Sequence, residues 1–506
     1  MKKNTTTIIA LLLAQTIATS CSDWLEVDTS TNVKQEVLFS DPAGYRTALN
    51  GVYRLLSGVE LYGRNLTWGV ASVLGNNYDA NRLPGPYSTT SNNTSYREMA
   101  AGDYTSKPTT DLVDPIWEQA YRVIANCNNI IAYIEKEDPA IFPVAANDTE
   151  KNMILGEAIG IRAMMHLDIL RLFAPSTKAD DGKTYIPYVA VFPERQPVHL
   201  TVTATLERVI ADLERARELL AIPDTVYNAN DMTSYTRRLQ PSSGLSTTTF
   251  FATRGTRFNY FAASAMLARA YQWRGAEGDA ERAYRTARDV YRFSTDKTWF
   301  SFTPAGNLST VENSIYRKMP HDILFAIYNN NMYAMVTAAT INTTSQSFFL
   351  KNDDRLFIDD ADDFRINLIN TDKTSRRWSM PTGNQSASPT ADIIKYQGPL
   401  APVVRLSEMI YIMCEYLVDV DRQQAVALLE KVRTARGAKR LLGNPSREEF
   451  LQELYLDMTR EFMSEGQTFA LYKRLNAPMY NGAGVINMTG RYVLPVPYSE
   501  EAYIHL

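Results

Sequence analysis

Apolar residues recur at helical spacing through most of this 506-residue chain, and long polar stretches separate the helical segments. That alternation limits the fold more than any other feature. Tyr45, Leu49, Val52, Tyr53 and Leu56 line one face of a helix over 45–56. A second helix covers 116–134, with Trp117, Ala120, Tyr121, Ile124, Cys127 and Ile131 on its stripe. A third runs over 155–173 and stops before Pro175. Leu206, Ile210, Leu213, Ala216 and Leu220 mark a fourth, ended by Pro223. Helices over 260–273 and 280–291 follow, and others over 405–417 and 423–436. Ser446 with Glu449 forms a capping box that opens a helix read as continuous over 447–475.

Several of these segments pair. Met266 to Tyr271, Gly275, Ala283 and Ala287 carry the small and aromatic pattern of a tetratricopeptide hairpin. The 405–417 and 423–436 segments form a second pair, and 155–173 with 205–220 a third. Their spacing is uneven, so the plan is a set of degenerate hairpins rather than a regular solenoid. Alanines at crossing points let such helices approach closely. The intervening stretches 74–110 and 225–257 are rich in Ser, Thr, Asn, Gly, Pro and Tyr, and 329–397 is mixed. Irregular segments this long are uncommon in compact domains unless they carry function. The expected fold is mostly α, a helical platform bearing long loops.

Composition narrows the function. A net charge of −4 disfavours nucleic acid as a partner. Three cysteines exclude a disulfide scaffold. No P-loop, dinucleotide glycine fingerprint, Gly-x-Ser-x-Gly elbow or His-Glu-x-x-His helix occurs. Met1-Lys2-Lys3, an apolar run through Ile17 and Ala18-Thr19-Ser20-Cys21 describe a secretory signal peptide over 1–20. The small residues before Cys21 resemble a bacterial lipobox, so Cys21 is the expected lipid attachment point. Cleavage removes Lys2 and Lys3, taking the charge to −6. Cys127 and Cys414 lie in apolar helical patterns and read as buried thiols.

In the C-terminal half, Pro402-Val403-Val404-Arg405-Leu406-Ser407-Glu408, Leu428 to Gly437, and Thr459-Arg460-Glu461-Phe462-Met463-Ser464-Glu465-Gly466 resemble segments of the SusD/RagB family. Val493-Leu494-Pro495-Val496-Pro497 resembles its closing motif, and Asp363-Phe364-Arg365 and Lys395-Tyr396 match upstream pairs. Further similar segments are Cys21 to Glu26, Ala48 to Tyr53, Asn126 to Ile131 and Glu157 to Ala163. Gln467-Thr468-Phe469 replaces the family's usual Trp-Phe-Asp, which marks a divergent branch. The resemblance implies a SusD-like domain over 21–506, with an N-terminal part over 21–255 and a C-terminal RagB/SusD part over 256–506. It implies a few short strands beside the helices. It also implies a lipid-anchored outer-membrane protein facing the cell exterior. Such a protein would bind oligosaccharide nutrients without catalysis and deliver them to a SusC-like TonB-dependent transporter. A peptide-binding lid of the RagB type, a surface hydrolase and a structural scaffold are the competing expectations.

The residues offer candidates for these roles. Glu461 and Glu465 sit four apart, and same-face carboxylates more often bind neighbouring cations than act as an acid–base pair. Asp359, Asp360, Asp362 and Asp363 form an acidic cluster that could hold calcium. It lacks the spacing and glycine of an EF-hand and reads as a solvated loop, so no cofactor is expected. His166 lies in an apolar helix and reads as a core residue, whereas His199, His321 and His505 have no partner suggested by spacing. Sugar rings stack on aromatic faces while amides, carboxylates and guanidinium groups hold their hydroxyls. Asn77, Tyr78, Asp79, Arg82, Tyr87 and Tyr96 supply these groups in one loop, and Trp378 offers a second platform. Trp299 is balanced between core and site.

Overall fold

A computed structural model describes residues 35–83, 95–144, 148–240, 249–308, 317–340, 348–351, 356–369, 375, 377–378, 398–480 and 485–500. The signal segment, Cys21, Tyr87 and His505 lie outside the described residues.

Each helix begins and ends where local chemistry permits. Asp41 caps α1 (Pro42–Leu56) by accepting from the Gly44 N–H, and Pro42 fills a position that needs no N–H. The helices α2 (Lys107–Ile134), α3 (Thr149–Phe173) and α4 (Val202–Ile222) follow. Asn259 caps α5 (Tyr260–Arg274) through the Ala262 N–H, and Gly275 closes it at φ +63°, where a side chain would be strained. The remaining principal helices are α6 (Asp279–Thr295), α7 (Leu406–Val420), α8 (Arg422–Ala435), α9 (Arg447–Glu461) and α10 (Thr468–Leu475). The capping box of α9 is present in both directions, Glu449 N–H to Ser446 Oγ and Ser446 N–H to Glu449.

Consecutive helices pack face to face from α2 to α8, and α1 lies on α2. The three expected hairpins are α3–α4, α5–α6 and α7–α8. The inner helices are buried nearly all round, which is why their sequences lack a clear polar face. In α5, Ala262, Ala263, Ala265, Ala268 and Ala270 are all buried and admit the neighbouring helices. The mostly helical fold read from the sequence is the fold observed, with three two-stranded antiparallel sheets as its strand content among the described residues. These are β1 (Thr184–Pro187) with β2 (His199–Thr201), β3 (Ile323–Tyr328) with β4 (Leu400–Arg405), and β5 (Met479–Tyr480) with β6 (Val485–Ile486). Strand β4 runs directly into α7, with Arg405 at the junction. Cys127 and Cys414 are buried free thiols, as expected.

Three expectations need correction. The segment read as one helix over 447–475 is two helices. It breaks at Phe462–Gln467, where Ser464 (φ +59°) and Gly466 (φ +79°) take left-handed backbone. Pro223 does not stop the chain from turning helically, because a π-helical turn continues over Pro223–Tyr227. The helix read from Ile116 begins at Lys107, and Pro115 sits inside it.

Candidate functional site

The break between α9 and α10 is a buried hub. Glu461 closes α9 and meets three guanidinium groups: Arg405, Arg436 (Nη2 to Oε1, 2.6 Å) and Arg365 (3.1 Å). Glu465 pairs with Arg405 and with Arg377, each at 2.7 Å. Arg436 also binds Asp322, and Arg365 binds Asp363 (2.6 Å) and Asp457 (2.5 Å). Burial pushes the Glu461 carboxyl up, but Arg405, Arg436 and Arg365 outweigh it and hold the group well below the usual carboxylate range. A carboxylate so committed to cations is neither a proton donor nor a free nucleophile. The acidic cluster is also reassigned. Asp360 and Asp363 are buried against Arg433, Arg460 and Arg365 rather than solvated, because their cations reach them from α8 and α9 and from the same turn. Asp362 meets Lys439 at the surface.

The same hub gathers the sequence candidates. The Ser464 N–H donates to Asn77 Oδ1 (2.9 Å), and the Trp378 indole donates to the Ser464 carbonyl (2.8 Å). Asn77 also accepts from the Lys351 N–H through its carbonyl. Tyr78 bridges Leu350, and its hydroxyl donates to the Trp68 carbonyl (2.7 Å). Tyr78, Tyr96 and Trp68 all set their rings edge-on to Phe348, with centroids 5.1–5.3 Å apart. Asp79 caps a single turn through the Asn81 N–H, and the Arg82 guanidinium lies 3.3 Å over the Phe349 ring. Tyr78, Tyr96 and Trp378 are buried, so the expectation of exposed stacking faces is not what the structure shows. Tyr78 and Tyr96 pack onto Phe348, an apolar seat that a reading of 74–110 alone does not reveal, and Trp378 is held by Ser464. His166 is a core residue as expected, stacked on Tyr188 with centroids 3.9 Å apart. His199 gains a partner from far along the chain, Glu500 at 3.1 Å. Trp299 packs half-buried against Phe261 and Phe293.

An open cleft of about 520 Å³ lies between the C-terminal end of α1, the 252–257 turn and the end of β3. Its floor is Tyr53, whose hydroxyl donates to Glu157 (2.5 Å) and accepts from the Phe258 N–H (2.7 Å). Arg257 stacks over Tyr53 (4.7 Å) and pairs with Glu157 (3.0 Å), yet its Nη2 has no hydrogen-bond partner. Asn329 shapes the turn after β3: its amide donates to the Ser57 carbonyl (2.6 Å), and its Oδ1 accepts from the Asn331 N–H. That turn leaves Tyr328, Asn330 and Asn331 exposed on the cleft wall. Exposed Arg54 stands on the α1 side.

This arrangement suits binding: one exposed ring, two amides and two guanidinium groups around an open volume. Among the described residues no carboxylate lines it, whereas glycoside hydrolysis commonly requires two flanking the scissile bond. Among the described residues no group of acidic, His and Cys side chains is placed to hold a metal. Tyr328 and the Asn run had a signal in the sequence, an aromatic ending the apolar run 323–327 before three asparagines. Arg257 had none, since its partners Glu157 and Asn50 lie 100 and 207 residues away.

Comparison with known proteins agrees with this architecture. Residues 66–238 match the SusD-like_3 family model, described as starch-binding and associating with outer membrane. Over 233 residues, 45% of the chain, it is 28% identical to SusD-like protein P2 of Formosa agariphila. That alignment spans 40% of the relative's length. A SusD superfamily protein from Bacteroides thetaiotaomicron superposes with a TM-score of 0.65 at 22% identity, over 91% of this chain and 98% of that one. A SusD-like carbohydrate binding protein from Bacteroides vulgatus gives 0.62 at 17% identity, over 92% and 96%.

Proposed function

We propose that this chain, SusD-like in fold as its sequence resemblance implied, is a non-catalytic oligosaccharide-binding protein of the outer membrane. It captures nutrient glycans at the cell surface and delivers them to a SusC-like TonB-dependent transporter, held to the membrane by lipid on Cys21. The observation that carries the reading is the cleft of about 520 Å³ at Tyr328, which offers stacking and hydrogen-bonding groups and, among the described residues, no carboxylate. Among the described residues no helix is long and apolar enough to cross a membrane, which is compatible with a lipid anchor. Capture for delivery calls for a ligand that leaves readily, since affinity differences fall mostly on the off-rate. The role of Asn77, Asp79 and Arg82 in this reading is to fix their segment beside the hub, through the Ser464 bond, the Asn81 cap and the Phe349 stack.

One observation favours a peptide instead. Arg54 stands exposed on the cleft wall and Arg257 lines the cleft beside it, although Glu157 already pairs with Arg257, and a cationic wall of this kind suits a C-terminal carboxylate. Isothermal titration of the soluble chain starting after Cys21 separates the two. Binding to neutral oligosaccharides supports the glycan reading. Binding only to peptides with a free C-terminus, lost on amidation, replaces it with the peptide reading.

A further inference from the structure

Away from the cleft, a cavity of about 40 Å³ opens between α3, α5 and the α9–α10 break, near the size of a single water. Two N–H donors among its lining residues have no partner: Arg171 Nε and Trp273 Nε1. Both side chains are more than nine-tenths buried, and the Arg171 guanidinium lies 5.7 Å from the Trp273 ring centre. Indole and guanidinium groups donate only, so neither can satisfy the other. A buried donor left unmatched costs about 1–3 kcal/mol.

The charges around the cavity point the same way. Arg171 pairs with Asp168 (3.3 Å), Arg269 with Glu408 (2.7 Å) and Arg474 with Glu415 (2.6 Å). Lys473 adds a fourth cation whose Nζ donates only to backbone carbonyls, those of Arg171 (2.7 Å) and Leu172 (3.3 Å). Four basic groups thus meet three carboxylates in a buried setting. Burial and the neighbouring Arg269 pull the Arg171 guanidinium down from its ordinary value, and burial with Arg171 does the same to the Lys473 amine. Half-buried Gln272 and Arg474 also line the cavity, where it meets the surface.

We propose that this cavity is a binding site for a small monovalent anion of chloride size, held by Arg171 Nε–H and Trp273 Nε1–H. The anion accepts from both donors and supplies the missing negative charge. It fixes the α9–α10 break to α3 and α5, since Arg171 Nη2 also donates to Gln467 (2.7 Å). The site is independent of the oligosaccharide reading, and its test uses no sugar.

Crystals of the chain starting after Cys21, soaked in sodium bromide, should show an anomalous peak within hydrogen-bond reach of both donors. In solution, the thermal midpoint should rise by roughly 1 °C per tenfold increase in chloride at constant ionic strength set with gluconate. Trp273→Phe, which keeps an aromatic ring and removes the donor, should abolish that rise. Gln272→Ala, at a half-buried position that holds neither donor, should keep it and shows that the assay tolerates substitution nearby. A water at the position with no anomalous signal, or a chloride response unchanged in Trp273→Phe, overturns the proposal.

Discussion

Glu461 shows how little a carboxylate's position in sequence says about its task. Its partners Arg365, Arg405 and Arg436 converge from three separate segments, and all four side chains are buried. Removing one member of a buried ion-pair network strands the others, at a cost of roughly 3–5 kcal/mol. Glu461→Gln should therefore lower unfolding free energy by about that amount in denaturant titration, with ligand binding retained where the chain remains folded. Because the folded carboxyl is held low, its contribution is present above the ordinary carboxylate range and is lost only as pH falls well below it. His166 works at milder pH. Its Nδ1–H donates to the Arg162 carbonyl (2.8 Å), and its Nε2 accepts from the Val189 N–H (3.0 Å), so the ring is held neutral. Burial lowers it from 6.5 to about 3. Stability from this group is complete above pH 6.5 and declines as pH falls toward 3, by roughly 4–5 kcal/mol over that span. The thermal midpoint should fall across this range, and His166→Gln should flatten the slope.

At the scale of elements, the helices were legible because their signal is local. The 3.6-residue period and caps such as Ser446 and Asn259 act within one or two turns. The α9–α10 break was not legible, because Ser464 and Gly466 turn to meet residues nearly four hundred positions away. The Gly466 N–H donates to Ser72 Oγ (3.1 Å), and a Cβ there would stand 2.4 Å from the Leu66 carbonyl. The loop aromatics were misjudged for a related reason: Tyr78 and Tyr96 find their apolar seat on Phe348, some 250 residues downstream. Gly466→Ala meets both a left-handed backbone and this clash. It should cost about 2 kcal/mol or more and should raise amide hydrogen exchange across 66–83, which the break pins to the platform. Unchanged exchange there would show that the 464–466 turn does not hold that loop.

At the scale of the molecule, stacked hairpins form the platform, and the proposed ligand cleft lies among the connections between elements. Most buried apolar residues form one core from Phe39 to Leu494, with Leu239, Ile323, Ala326 and Leu400 a small second cluster, and the cleft at Tyr328 rests on the platform through Tyr53 and the Glu157 cluster. The chain-wide SusD resemblance in the sequence pointed to this architecture. The particular cleft was not legible, because it joins α1, residues 252–257 and β3, three segments brought together only by folding. The most direct test is isothermal titration of the soluble chain against a panel of neutral oligosaccharides, with the sugars recovered afterwards and analysed for cleavage. The account predicts binding to at least one of them, an affinity loss of about tenfold or more in Tyr328→Ala, and sugars recovered intact. No binding to any sugar, binding indifferent to Tyr328, or cleaved product in the recovered pool would contradict it.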